Sequence, residues 1–265
     1  MWAVSDEQII AAAEHPCAGP PPDRALRTAV VWRTLRGALA GRADATGRDA
    51  LDIVDAGGGT GNFAVPLAGL GHHVTVVDPN PDSLAALERR AADGGVTARV
   101  RPVQAEAADL PDVVGPDGAD LVICHSVLEY VEDPAVELAA VVAVARPGAA
   151  VSVLIANPVA AALHRALAGQ FDDAARLLTD PHGTWGERDP MPRRFTRDSI
   201  TALLTGAGLT VAATQGVRVF ADLVPSRLID GDPSADASLA ELESAAASHP
   251  ALRDIATQLH VLAHR

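Results

Sequence analysis

The chain has 265 residues, 48 % of them apolar and 3 % aromatic, with 21 basic side chains against 34 acidic ones and a formal net charge of −13. All 21 basic residues are arginine, which excludes a Walker-type phosphate loop, a Schiff-base lysine and a lysine general base. So acidic a chain is a poor non-specific nucleic-acid binder, because phosphate affinity comes from basic side chains displacing counterions; a local arginine patch stays open.

Residues 1–22 end in Pro20–Pro22 and read as a loosely held lead-in. Asp23 caps a predicted helix to about Ala40, with Leu26, Val30, Val31, Leu35 and Leu39 on one stripe. From Leu51 short aliphatic runs alternate with helical segments, the pattern of a parallel sheet covered on both faces. The runs are Leu51–Asp55, His73–Val77, Ala98–Val103, Asp120–Cys124 and Ala150–Ala156. The helices between them are Asn62–Ala68, a segment capped by Asn80 and Pro81 and ending at Gly94, and Asp133–Arg146.

After Asn157 come two helical segments, 158–168 and 171–179, a loop at 180–195 and a helix at Arg197–Ala207. Leu209–Thr214 and Val217–Phe220 read as extended, and Ser234–Ser248 as a helix with an acidic exposed side. Every second residue of Thr257–His264 is apolar, so the tail reads as a last strand. The organisation expected is one domain over 23–265, with a cap insertion at 158–200 and final strands plus an acidic helix at 209–265.

The sharpest feature is Leu51-Asp52-Ile53-Val54-Asp55-Ala56-Gly57-Gly58-Gly59-Thr60-Gly61-Asn62, at a strand end and a helix start. Glycines there allow a tight turn and close approach of a ligand. Gly57, Gly59 and Gly61 give G-x-G-x-G, whereas a dinucleotide fingerprint needs glycine at the position of Asn62. This argues against an NAD-dependent oxidoreductase. Asp55 stands where a carboxylate accepts from an ammonium group. Asp78 follows the second run, where an acid grips both hydroxyls of a ribose. Glu106 and Ala107 follow the third, beside an adenine edge.

A strand-end acid, this loop and a second strand-end acid resemble the class I S-adenosyl-methionine-dependent methyltransferases. The resemblance implies a Rossmann-like α/β fold, with a seven-stranded mostly parallel sheet, helices on both faces and a small helical cap. It also implies S-adenosyl-methionine as cofactor and S-adenosyl-homocysteine as product. His125, at the carboxyl end of the fourth run, would stand near the transferring methyl. The stretches CHSVLEYVEDP, VLIANP, GQFDDA, GVRVFADL and LRTAVVWRTL are similar to the tRNA methyltransferases that esterify the carboxylate of 5-carboxymethoxyuridine at the wobble position. Pro20–Arg24 and Ala256–Leu259 depart from that subfamily, which carries Lys-Gly and Arg-Tyr there.

Methyl transfer to a carboxylate needs no general base, since the nucleophile is already ionised. It needs alignment and a partly dry site, and an anion held there calls for arginine. Candidates are Arg27, Arg193, Arg194 and, first, Arg218, with a salt bridge to Asp222 as its alternative fate. Trp32 and Tyr130 are candidates to stack on a base. Residues 186–198 carry net +1 and residues 227–245 net −4, so tRNA should approach the cap loop. The partner expected is the tRNA anticodon region, or else a small anionic metabolite. A basic leader is lacking, as are an apolar span of ~20 residues and any metal-ligand or disulfide spacing at Cys17 and Cys124. All three point to a cytoplasmic enzyme without membrane or metal.

Overall fold

The computed structural model describes residues 22–225 and 233–265, with side chains from 28 to 225 and from 234 onward. The lead-in therefore lies outside the described residues, as does the side chain of Arg27.

The chain order is α1 (Pro22–Thr46), β1 (Asp52–Ala56), α2 (Ala64–Gly69), β2 (His73–Val77), α3 (Pro81–Asp93), β3 (Val100–Val103), α4 (Leu110–Val114), β4 (Ala119–His125), α5 (Pro134–Val144) and β5 (Ala145–Ala156). It continues with α6 (Pro158–Leu167), α7 (Phe171–Thr179), α8 (Arg197–Gly206), β6 (Thr210–Val217), α9 (Pro233–Ala247), α10 (Pro250–Arg253) and β7 (Gln258–His264). The seven strands form one sheet in the order β3-β2-β1-β4-β5-β7-β6. All neighbours are parallel except β7, which runs antiparallel to β5 and to β6.

Local chemistry sets the boundaries. Asn80 accepts from the amides of Asp82 at 2.9 Å and Ser83 at 3.4 Å, and Pro81 opens α3. Asp133 caps α5 in the same way through Ala135. On one face of the sheet α5 and α8 contribute Leu138, Val141, Ile200 and Leu204 to the core. On the other, α1, α2 and α3 contribute Val31, Leu35, Leu67 and Leu87. Cys124 is buried in the first of these cores.

Several expectations shift. Helix α1 runs to Thr46, not Ala40, and β3 starts at Val100, not Ala98. Val217–Phe220 is not extended: β6 ends at Val217, and Arg218 turns the chain with φ +60°. The short helices α4 and α10 went unread, being too brief to show a helical period.

At the amino edge of the sheet, opposite the glycine loop, the buried Asp120 gathers three arginines. Arg42 lies 3.1 Å away, Arg48 2.8 Å and Arg146 2.6 Å. The carboxylate also accepts from the amide of Asp52 at 3.0 Å. These arginines are thereby spent on the scaffold.

Candidate active site

The glycine loop is built for close approach. Gly57 has φ +67°, and a Cβ on it would lie 2.4 Å from Val127 Cγ2. Gly61 has φ +77°, and a Cβ there would lie 2.2 Å from Leu87 Cδ1. At both positions the left-handed φ strains any side chain, and a neighbour would have to move aside for it. Gly59 donates its amide to Asp78 Oδ2 at 2.9 Å, while Asn80 donates to Asp78 Oδ1 at 2.9 Å. Asp78 is thus fixed across the loop, with both oxygens retaining a lone pair.

Asp55 is 2 % exposed beneath the loop. Burial, reinforced by the nearby Asp78 charge, pushes its carboxyl up to about 7. A carboxylate in that state is waiting for a cation, as the ammonium end of an amino-acid cofactor would provide. In the turn after β3, Ala107 is buried and Glu106 is exposed, the Glu106 amide donating to Asp109 Oδ2 at 3.3 Å.

His125 closes β4. Its Nε2 lies 2.8 Å from Ser152 Oγ on β5, which lies 2.8 Å from His260 Nε2 on β7. Burial, then repulsion from His260, holds the His125 imidazole well below its usual range. Burial lowers His260 to about 4. Both rings are therefore neutral at pH 7. Ser152 has one proton to donate, so at least one of the two neutral rings carries its proton on Nε2 and donates it to Ser152 Oγ. Phe63 packs edge-on to His125 with ring centres 4.7 Å apart, and Trp32 packs on Phe63 at 5.1 Å.

Beyond His125, a cavity of about 670 Å³ opens at the carboxyl ends of β4 and β5. Open α/β sheets bind ligands at that edge. The hairpin of α6 and α7 and the loop at 180–195 roof it. Its charged lining includes Glu129, Arg165, Arg194, Arg218 and Asp222, with Tyr130 and Trp185 as aromatics. Two of the three non-glycine residues with positive φ among the described residues, Ser126 and Arg218, line this cavity. Such strain costs of the order of 1–3 kcal/mol per residue and collects at functional sites.

Residues 54–151 match the family described as methyltransferase domain. The chain is 30 % identical over 191 residues to the ubiquinone biosynthesis O-methyltransferase of Paraburkholderia phytofirmans, covering 71 % of this chain and 76 % of that protein. The chain belongs to the S-adenosyl-methionine-dependent methyltransferases. It is also 29 % identical over 199 residues to the tRNA 5-carboxymethoxyuridine methyltransferase of Escherichia coli K12, covering 74 % of this chain and 72 % of that protein. Among solved structures, it is similar to a methyltransferase from Methanosarcina mazei, with TM-score 0.56 and 18 % identity over 82 % of this chain and 93 % of that one. Geranyl diphosphate methyltransferase in complex with GPP and sinefungin gives TM-score 0.54 and 16 % identity over 82 % and 71 %. These likenesses show a Rossmann-like class I fold, and the cofactor of the family is S-adenosyl-methionine.

In this methyltransferase the candidate arginines have different fates. Arg194 is spent on the cap: it forms a two-pronged pair with Asp189 at 2.7 and 3.1 Å and donates to Gly183 O at 2.8 Å. Arg193 donates to Glu132 O at 3.1 Å and does not line the cavity. Arg165, which sequence reasoning passed over, donates to Gln170 at 2.6 Å and stacks on Trp185 at 3.6 Å. Arg218 differs. Its Nε is buried and lies 3.3 Å from an Asp222 carboxylate oxygen without a hydrogen bond, and among the described residues its guanidinium donates to no acceptor.

Trp32 is 8 % exposed in the core beneath His125, which removes it as a stacking platform, whereas Tyr130 is 56 % exposed on the cavity rim. Ser152, His260 and Glu129 also went unchosen in the sequence. A lone serine in an apolar strand and a histidine at an alternating position of β7 were the available signals. Glu129 is buried, and its Oε1 accepts from the Ala156 amide at 2.7 Å, tying the loop after β4 to the end of β5.

Proposed function

We propose that this methyltransferase acts on the anticodon region of tRNA, esterifying the carboxylate of 5-carboxymethoxyuridine at the wobble position. The observation that carries the reading is Arg218, the cavity-lining arginine whose terminal nitrogens stay uncommitted among the described residues. The similarity to the Escherichia coli tRNA enzyme supports it.

The cofactor supplies an electrophilic methyl on a sulfonium. Asp78 is set to take the ribose hydroxyls, and Gly57, Gly59 and Gly61 admit the cofactor's backbone-hugging approach. Asp55 meets its ammonium, and Glu106 and Ala107 border its adenine. Arg218 holds the acceptor carboxylate in two-point contact, orienting one oxygen toward the methyl. A carboxylate needs no base. His125 is neutral, so it adds no positive charge beside the sulfonium, and its ring helps exclude water. The acceptor base leans on Tyr130. Arg193, in the cap loop, and Arg27, on α1, serve the approaching phosphates. A tRNA substrate places the reaction in the cytoplasm, and no described helix is long and apolar enough to cross a membrane.

The relatives named ubiquinone biosynthesis O-methyltransferase and the charge of −13 favour a second reading, transfer to a small anionic metabolite. A hydroxyl acceptor would require a base, and His125 is the one placed for it. Nucleoside mass spectrometry of tRNA from a deletion strain separates the two. Loss of the methyl ester with accumulation of 5-carboxymethoxyuridine is expected; an unchanged profile rejects the tRNA reading.

A further inference from the structure

The acidic helix α9 is not acidic only on its outside. Glu243 is 2 % exposed and points inward. Its Oε2 accepts from the Val219 amide at 2.9 Å, and its Oε1 from the Phe220 and Ala221 amides at 2.7 Å each. Three consecutive amides thus converge on one carboxylate, immediately after the residue whose φ is +60°. Helix α9 packs on β6 and α1, so the carboxylate is carried on a braced element. Arg33 on α1 adds to the brace by donating to Ser244 at 2.5 Å.

Without a partner, the three amides would have to be satisfied by water or by each other's carbonyls, and the chain would leave β6 by a different path. A non-glycine residue keeps a left-handed backbone only where its surroundings hold it there. What lies one residue before the clamp is Arg218, with its side chain in the acceptor cavity. The other fixed point of the turn is the Thr257 amide, which donates to Arg218 O at 3.3 Å.

We propose that Glu243 is a positioning residue: it binds the backbone amides of 219–221 and so holds Arg218 in the left-handed turn that aims its guanidinium at the acceptor's anionic group. The inference rests on the reading of Arg218 given above. Its reach is selectivity: a distant helix, without touching substrate, sets how well the cavity grips a carboxylate. Gln at 243 keeps the shape but turns an N–H donor toward amides that are themselves donors.

The test is a double-mutant cycle on the full chain, with tRNA bearing 5-carboxymethoxyuridine as acceptor. R218A alone should raise the acceptor KM about tenfold or more, near 1.4 kcal/mol. E243Q should raise it comparably, with the S-adenosyl-homocysteine Kd within about twofold of wild type on that same scale. The double variant should match R218A alone. Additive effects would overturn the positioning role while leaving Arg218 in place. No effect of R218A would instead overturn the reading of Arg218. If E243Q does not fold, amide exchange on the wild-type protein decides. Slow exchange at Val219, Phe220 and Ala221 is expected, and exchange at the rate of open loops would overturn the clamp.

Discussion

Replacing Asp55 by Asn probes the cofactor site most sharply. In the free protein this carboxyl is buried and shifted up to about 7 from an unfolded value near 3.8. A carboxyl whose folded pKa is raised favours its protonated form. The native state therefore carries no penalty from it below about pH 4 and an increasing one up to about pH 7. Roughly three pKa units at about 1.4 kcal/mol each put the full penalty near 4 kcal/mol at pH 8. D55N should be more stable than wild type at pH 8 by up to that amount, and the two should converge below about pH 4. Cofactor binding should do the reverse. If Asp55 must ionise to meet the ammonium, wild-type Kd for S-adenosyl-homocysteine rises roughly tenfold per pH unit below 7. It should then approach the D55N value, which stays flat. Titration calorimetry at pH 6 in two buffers of different ionisation enthalpy should show close to one proton released per site. A wild-type Kd flat from pH 5.5 to 8, with no proton release, would refute the argument.

Other consequences are as direct. His260 is lowered to about 4, so it costs nothing above its unfolded pKa. As pH falls from about 6.5 toward 4 it should remove some 3 kcal/mol from wild type, and H260N should flatten that loss in urea melts. D120N leaves three arginines without their shared anion and should cost about 3–5 kcal/mol in chemical denaturation, with cofactor Kd unchanged because the cluster lies at the far sheet edge. G61A meets both a left-handed φ and Leu87, and should lose about 2–4 kcal/mol and weaken cofactor binding in calorimetry. S152A removes the shared partner of both imidazole Nε2 atoms and should cost about 1–3 kcal/mol; imidazole nitrogen NMR shifts unchanged from wild type would contradict the bridge.

The sheet was legible because its strands are buried on both faces and read as continuous aliphatic runs. Asn80 with Pro81, and Gly94 after them, marked α3 to the residue at both ends. Fold, loop and strand-end acids all follow from short-range pattern. What pattern could not supply was partnership across the chain. Arg194 and Arg218 look alike in sequence, yet Asp189 takes two hydrogen bonds from one, while Asp222 makes only an ion-pair contact at 3.3 Å with the other. The turn at Arg218 was read as strand because its cause, Glu243, lies 25 residues downstream and inside a helix that appears solvent-facing by composition. His125, Ser152 and His260 meet only through the register that sets His125 beside Leu154 and Leu154 beside His260.

The most direct test is methyl transfer itself. Purified protein is incubated with methyl-labelled S-adenosyl-methionine and two tRNA preparations, one carrying 5-carboxymethoxyuridine at the wobble position and one unmodified there. Label should enter only the first, and mild alkali should release it as methanol, as an ester requires. Equal labelling of both, alkali-stable label, or none in either would contradict a carboxylate acceptor held by Arg218.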